Sequence, residues 1–225
     1  MNLGIVTSYI VAGVILIGIV MMNLSVQGSS AELTITQMQR QYVANITDML
    51  NDDLSNMGSD VNDITRDSDG EPHIIECATD NRISFYRNLC QTNEECADEN
   101  RQPELIEWRL LTEDEISDSN PNHRTLRRTV TTFHSEEDPV VDENDINVGV
   151  TQFNIEYYRQ GYIGSDNNTT GIGCGSGVEN IRQLKVMLEV QSAERVRSRP
   201  GAEGRFIRSV WDKRFTPPNL QIAFN

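Results

Sequence analysis

LGIVTSYIVAGVILIGIVMM, residues 3–22, contains no charged side chain, and its only polar side chains are Thr7, Ser8 and Tyr9. At 1.5 Å of rise per residue, about 20 apolar residues span the roughly 30 Å hydrocarbon core of a bilayer. The charge-free stretch extends over residues 1–31, and no Lys or Arg occurs before Arg40. A cleaved secretory signal would show a basic start, a short apolar core and an A-x-A-like site, so the run reads as a retained membrane or bundle helix. With no basic cluster on either flank, the positive-inside rule leaves orientation open; the acidic, cysteine-containing bulk argues that the carboxyl-terminal part lies outside.

The helical period continues past the apolar run. Leu33, Ile35, Met38, Tyr42, Ile46, Met49, Leu50, Leu54, Met57 and Val61 recur at spacings of three and four, one apolar stripe. Polar residues between them, including Gln37, Gln39, Gln41, Asp48 and Asp53, are expected to face water. No Pro precedes Pro72, and Gly28 with Ser29 and Ser30 is the one plausible kink. A single helix from residue 3 to about 57 would be about 80 Å long. A head of about 150 residues cannot cover such a rod. Its apolar first half must meet lipid or copies of itself, and its amphipathic second half must lie on the globular part.

Residues 58–72, GSDVNDITRDSDGEP, read as an acidic, turn-rich linker. Beyond it, 82–88, 104–112, 124–133, 148–159, 181–192 and 205–215 are rich in β-branched and aromatic residues and read as strands. Leu184, Val186, Leu188 and Val190 share one face, which points to an antiparallel sheet with one solvated side and the helix stripe over the other. The fold class is therefore α+β, a long amino-terminal α-helix packed on an antiparallel β-sheet head. Its parts are an apolar helix at 1–31, an amphipathic continuation at 32–58, an acidic linker at 59–72 and a β-rich extracytoplasmic head at 73–225. The loops between strands are acidic or glycine-rich, among them HSEEDPVVDENDIN (134–147) and the stretch with Gly161, Gly164, Gly171, Gly173 and Gly175.

Composition bounds the function. With 34 acidic against 19 basic residues, a net charge of −15 and a pI near 4.5, the chain lacks the basic face that nucleic-acid binding needs. The mean hydropathy of −0.46 hides the apolar residues gathered at one end. Only Lys185 and Lys213 are lysines, a pattern of either salt adaptation or compositional drift. No G-x-S-x-G, H-E-x-x-H or P-loop occurs, so catalysis is not expected, nor is a cofactor. Asp60, Asp63, Asp67, Asp69 and Glu71 supply hard oxygens for Ca²⁺, but the EF-hand spacing fails at Thr65, and a solvated acidic loop is the plainer reading. Asp142 to Asn147 read the same way. His73, His123 and His134 share no spacing with one another or with Cys and are expected on the surface. Three N-x-[ST] sequons start at Asn45, Asn167 and Asn168; they are chance matches in a bacterial protein and sugar sites in an archaeal or eukaryotic secreted one.

The order of ELIEWRLL, RTLRRTV, GVTQFNIEYYRQG, IRQLKVMLEV, FIRSVWDKRF and the terminal PPNLQ, behind a charge-free helix, resembles type IV pilin-like proteins. Within them the run of strands looks most like the J-type minor pseudopilin of type II secretion and its minor-pilin relatives. The resemblance implies a structural subunit of a filament or secretion pseudopilus, not an enzyme. Its apolar helix would rest in the inner membrane before assembly and against copies of itself or other pilin-like subunits afterward. Pilin precursors carry a basic leader, a cleavage site and a Glu at the fifth mature position. If Met1 opens the mature chain, Ile5 stands there, and a minor, tip or divergent subunit is implied.

Subunit contacts are expected from Ile5, Ile10, Val14, Ile17 and Val20, with Gly4, Gly13 and Gly18 admitting close backbones. Contacts from helix to head are expected from Leu33, Met38, Tyr42, Ile46, Met49, Leu50 and Leu54. Cys77, Cys90, Cys96 and Cys174 match no common zinc spacing and read as two disulfides. Cys90 with Cys96 and Cys77 with Cys174 is one of three possible connectivities. The rival reading is a signal-anchored receptor or adhesin whose head binds a ligand through the loop at 161–177.

Overall fold

The computed structural model describes residues 3–59, 74–87, 104–111, 120–133, 138–159, 168–169, 173–175, 178, 181–196 and 203–222. The chain opens with α1 (Leu3–Ser55), 53 residues without interruption; at 1.5 Å per residue it is about 80 Å long. Gly28 and its serines do not break it; Ser29 and Thr34 turn their hydroxyls back to the carbonyls of Ser25 and Ser30, a contact compatible with an unbroken helix. The helix ends where Gly58 takes a φ of 71°, a conformation open to glycine, and its N–H donates to the Tyr86 carbonyl at 2.9 Å.

The fold is α+β, as expected, and the head carries strands β1 (Ile75–Thr79), β2 (Arg82–Arg87), β3 (Glu104–Leu111), β4 (Thr125–Thr132), β5 (Val140–Ile146), β6 (Val150–Arg159), β7 (Asn168–Thr169), β8 (Gly173–Cys174), β9 (Ile181–Gln191) and β10 (Arg208–Phe215). A last turn of helix, α2 (Asn219–Ile222), packs Leu220 into the core, and Asn219 donates to the Met57 carbonyl under the end of α1. The strands form two antiparallel sheets, where one was expected: β5-β4-β3-β2-β1-β8 and β10-β9-β6-β7. Ile83, Phe85, Ile106, Trp108 and Leu126 face inward from the first sheet, and Phe153, Ile155, Tyr157, Leu184, Val186 and Leu188 from the second, in one continuous core.

Two joints hold the sheets together. At the first, Tyr157 donates its hydroxyl to the carbonyls of Thr79 and Arg82, and the Ile155 amide donates to Asp80. At the other, Asn120 donates to the Ser192 carbonyl at 3.0 Å, and Gln191 donates its amide to Gly149 at 2.8 Å. Gly149 has a φ of 72°, and a Cβ there would lie 2.3 Å from the Gln191 carbonyl oxygen, so only glycine fits.

The strand register explains one irregularity of pattern. A bulge between Val150 and Gln152 leaves Thr151 extra, which puts Val150 on the same buried side as Phe153. Other departures from the sequence reading have physical causes. Residues 142–146, read as an acidic loop, belong to β5, an edge strand with an exposed face on each side and so no apolar period to reveal it. β1 escaped notice because it is only five residues long and carries Glu76 between its buried positions. Gln39 and Asp53 do not face water; both are buried because each finds a partner in the head. His123 is buried as well, with Nε2 3.1 Å from the Gln191 carbonyl oxygen. Residues 60–72 of the linker, with the Asp60–Glu71 acidic cluster, lie outside the described residues, as do His73, His134, Cys90, Cys96 and most of the loop at 161–177.

Candidate functional site

The function rests on how the long helix is divided between what the head covers and what it leaves bare. From Ile5 to Val26, fifteen large apolar side chains are 42 to 76 % exposed, on every side of the helix. The apolar window is wholly unburied, and by length and composition this helix can cross a membrane. Ile5, Ile10, Val14, Ile17 and Val20, the expected assembly residues, all lie in this bare half. A Cβ added at Gly4, Gly13 or Gly18 would meet open space, so at these positions another backbone can come close. Covering side chains like these is worth on the order of 1 kcal/mol each.

Further along, the covered arc of the helix follows Gln39, the partly buried Val43, Ile46, Thr47, Leu50, Asp53 and Leu54, and continues to Met57 just past its end, at spacings of one, three and four. Of the residues expected to face the head, Ile46, Leu50 and Leu54 enter the core and Met49 packs at its margin. Leu33, Met38 and Tyr42 do not: they are 63, 52 and 36 % exposed. At about 100° per residue, Leu33 points some 140° away from Ile46, and Met38 and Tyr42 sit on the flank. Those two line the rim of a cleft of about 390 Å³, together with Ile35, Gln39 and His123.

Asp53 fixes the seat of the helix. It is 1 % exposed and lies over the middle of the first sheet, where β2, β3 and β4 each present a donor. Arg87 Nη1 donates to Oδ1 at 2.8 Å, and Trp108 Nε1 donates to Oδ2 at 2.8 Å. Arg128 closes a two-pronged pair, Nε to Oδ2 at 2.7 Å and Nη2 to Oδ1 at 2.8 Å. This contact holds the Arg128 guanidinium above its ordinary pKa, mainly through the hydrogen bonds and against the opposing effect of burial. A forked carboxylate–guanidinium contact fixes rotation as well as distance, so the hub sets which face of α1 the head sees. Higher up the helix, Gln39 Nε2 donates to the Ile207 carbonyl at 3.0 Å, and Arg205 reaches Glu32 at 3.1 Å. Lys213 meets Asn51 at 2.7 Å. The segment before β10 thus straps the helix just below its exit from the head.

By sequence alone Asp53 reads as one of the polar residues that face water. The signal that could have found it is a pair of adjacent acids, Asp52 and Asp53, one of which falls between Leu50 and Leu54 on the apolar arc, together with arginines inside two strand patterns.

The bridge between Cys77 and Cys174 joins β1 to β8 as a directly opposed cross-strand pair and ties the described end of the glycine-rich segment to the first sheet. Asn45 of the first sequon is on the exposed side of α1, but Thr47 is buried. Among the described residues, no group of three or more His, Cys, Asp or Glu side chains could hold a metal ion.

No family model matches the chain, and no curated protein matches it. Among solved structures, the chain is similar to a type IV-like pilin from Thermus thermophilus, at 12 % identity and a TM-score of 0.46, over 80 % of this chain and 97 % of that one.

Proposed function

We propose that the chain is a structural subunit of a pilin-like filament or secretion pseudopilus, of the minor-pilin or J-type pseudopilin kind, whose activity is assembly. Residues 3–22 hold it in the membrane before assembly with the head outside, and the same helix then packs against copies of itself or other pilin-like subunits. The observation that carries this reading is the bare half-helix: fifteen apolar side chains stay 42 to 76 % exposed on a rod whose other half is pinned by Asp53. Lipid and sister helices are the two environments that can cover an apolar surface on every side of a helix.

The test is negative-stain microscopy of surface material sheared from cells, with mass spectrometry of the amino terminus of the chain found in it. Fibres containing the chain, lost when Val14→Asp or Ile17→Asp is introduced, support the reading. A detergent-solubilised monomer that yields no fibres and pulls down no pilin-like partner overturns it in favour of an anchored receptor.

A further inference from the structure

We propose that heads join through their sheet edges, β5 of one copy pairing with β10 of the next. The inference rests on the filament reading above, because a strand pair of this size is weak alone and needs helices that already hold the heads at high local concentration.

Both strands are outermost. β5 is bonded only to β4 and β10 only to β9, so each has one ladder made and, among the described residues, none on its outer side. Val140, Val141 and Val210 are half exposed along these edges. An open edge of this kind is a template for another strand, and proteins commonly guard it with charge.

Here the charges differ in sign. β5 carries Asp142, Glu143 and Asp145 and no base. Arg127 of β4 contacts both Glu143 and Asp145, one cation shared between two anions, so the edge keeps an acidic excess. β10 carries Arg208, Lys213 and Arg214 against Asp212. Arg208 is engaged by Glu189 and Arg214 lies on the Tyr158 ring, while Lys213 lies on the Phe215 ring and donates to Asn51 of α1, a single exposed hydrogen bond that a neighbour's Glu143 would share or replace. Pairing β5 with β5 would set acid against acid, and two β10 strands, three bases against one acid in each, repel overall even in the register that sets Asp212 opposite Lys213. The unlike pair escapes both penalties.

Charge also selects a register. In an antiparallel pair with Glu143 opposite Lys213, Asp142 falls opposite Arg214 and Ile146 opposite Val210. A slip of one residue in one direction sets Asp145 opposite Asp212, and a slip in the other sets Glu143 there. Since the two edges are different surfaces, the contact is heterologous: each copy offers one edge and accepts the other, which propagates along a filament.

Lysine content makes the test direct. Lys213 is one of only two lysines in the chain, the other being Lys185 in the middle of the second sheet. Full-length chain labelled with ¹⁵N is co-assembled with unlabelled chain and treated with a zero-length carbodiimide, which joins carboxylates to amines in direct contact. The expected result is mixed-isotope peptide pairs joining Lys213 to Asp142 or Glu143. The variant Asp142→Lys should cut the sedimentable fraction about tenfold, and adding Arg214→Glu, which leaves the bond from Lys213 to Asn51 in place, should restore it. Assemblies without that mixed-isotope link, or a Lys213 link to a different co-purifying protein, overturn the edge pairing and leave the filament reading standing. A chain that never assembles overturns both.

Discussion

Replacing Asp53 by Ala removes the acceptor of four hydrogen bonds at once and strands two guanidiniums whose side chains are only 11 and 17 % exposed. Arg87 keeps Glu104 at 3.3 Å, whereas Arg128 loses both prongs of its pair. Breaking a buried pair by deleting one partner costs about 3–5 kcal/mol, most of it the penalty of the charge left behind. For a chain of this size, that corresponds to a fall in Tm of roughly 6–20 °C. The assay is thermal and urea unfolding of the full chain in detergent micelles, followed by the fluorescence of Trp108, whose indole N–H is one of the four donors. Asp52→Ala is the control: its side chain is 68 % exposed, 3.7 Å from Arg87, and its loss should stay within about 0.5 kcal/mol. Adding Arg128→Met to Asp53→Ala should recover at least about 1 kcal/mol, since the stranded charge then disappears. The Asp53→Ala loss should also persist in molar salt, because ions do not reach a pair so enclosed. An Asp53→Ala chain no less stable than Asp52→Ala would refute the hub as the clamp between helix and head.

The other expectations are more local. The bridge between Cys77 and Cys174 closes a loop with a sequence separation of 97, so replacing both by Ala should lower the unfolding free energy by about 4 kcal/mol, read in the same urea titration. Gly149→Ala forces a side chain into a backbone that L-residues avoid and against the Gln191 carbonyl; a loss of at least about 2 kcal/mol is expected, whereas a neutral result would mean that the joint between the sheets gives way easily. Burial, reinforced by the Glu76 carboxylate, pushes the Tyr86 phenol up to about 12. Because the folded state holds that proton more tightly than the unfolded chain, whose phenol has the ordinary value of 10.0, its contribution is complete below pH 10 and fades as pH rises toward 12. Alkaline titration at 295 nm should show late ionisation that moves earlier in Glu76→Gln, and an unchanged curve in that variant would count against the pairing.

How much of this was legible in the sequence follows from which residues have neighbours that matter. The apolar run and the stripe of Ile46, Leu50 and Leu54 are local, period-setting features, so helix, seat and fold class could be read directly. Strands β2, β3, β4, β6 and β9 announce themselves through alternating β-branched and aromatic residues, because each has a covered face, and β10 through Val210, Trp211 and Phe215 although only Phe215 is buried. β5 has none and looks like a loop, its place given by the ladder to β4 rather than by its own side chains. The division into two sheets depends on which strands pair, which periodicity does not encode. Asp53, Gln39 and His123 were misread for one reason: a polar residue is buried when a partner far along the chain satisfies it, and the partners of Asp53 lie 34, 55 and 75 residues away. Leu33, Met38 and Tyr42 stay bare for a rotational reason: the head reaches the helix at this height through Gln39 and Glu32, and these three side chains lie off the arc it covers.

The most direct measurement is analytical ultracentrifugation of the full chain after detergent is withdrawn. The bare half-helix predicts that no free monomer of 25.4 kDa survives in plain buffer, only assemblies, while lipid vesicles recover the chain in the membrane fraction. A stable, monodisperse 25.4 kDa species without lipid or detergent would contradict the reading that this helix must be covered by neighbours or by membrane.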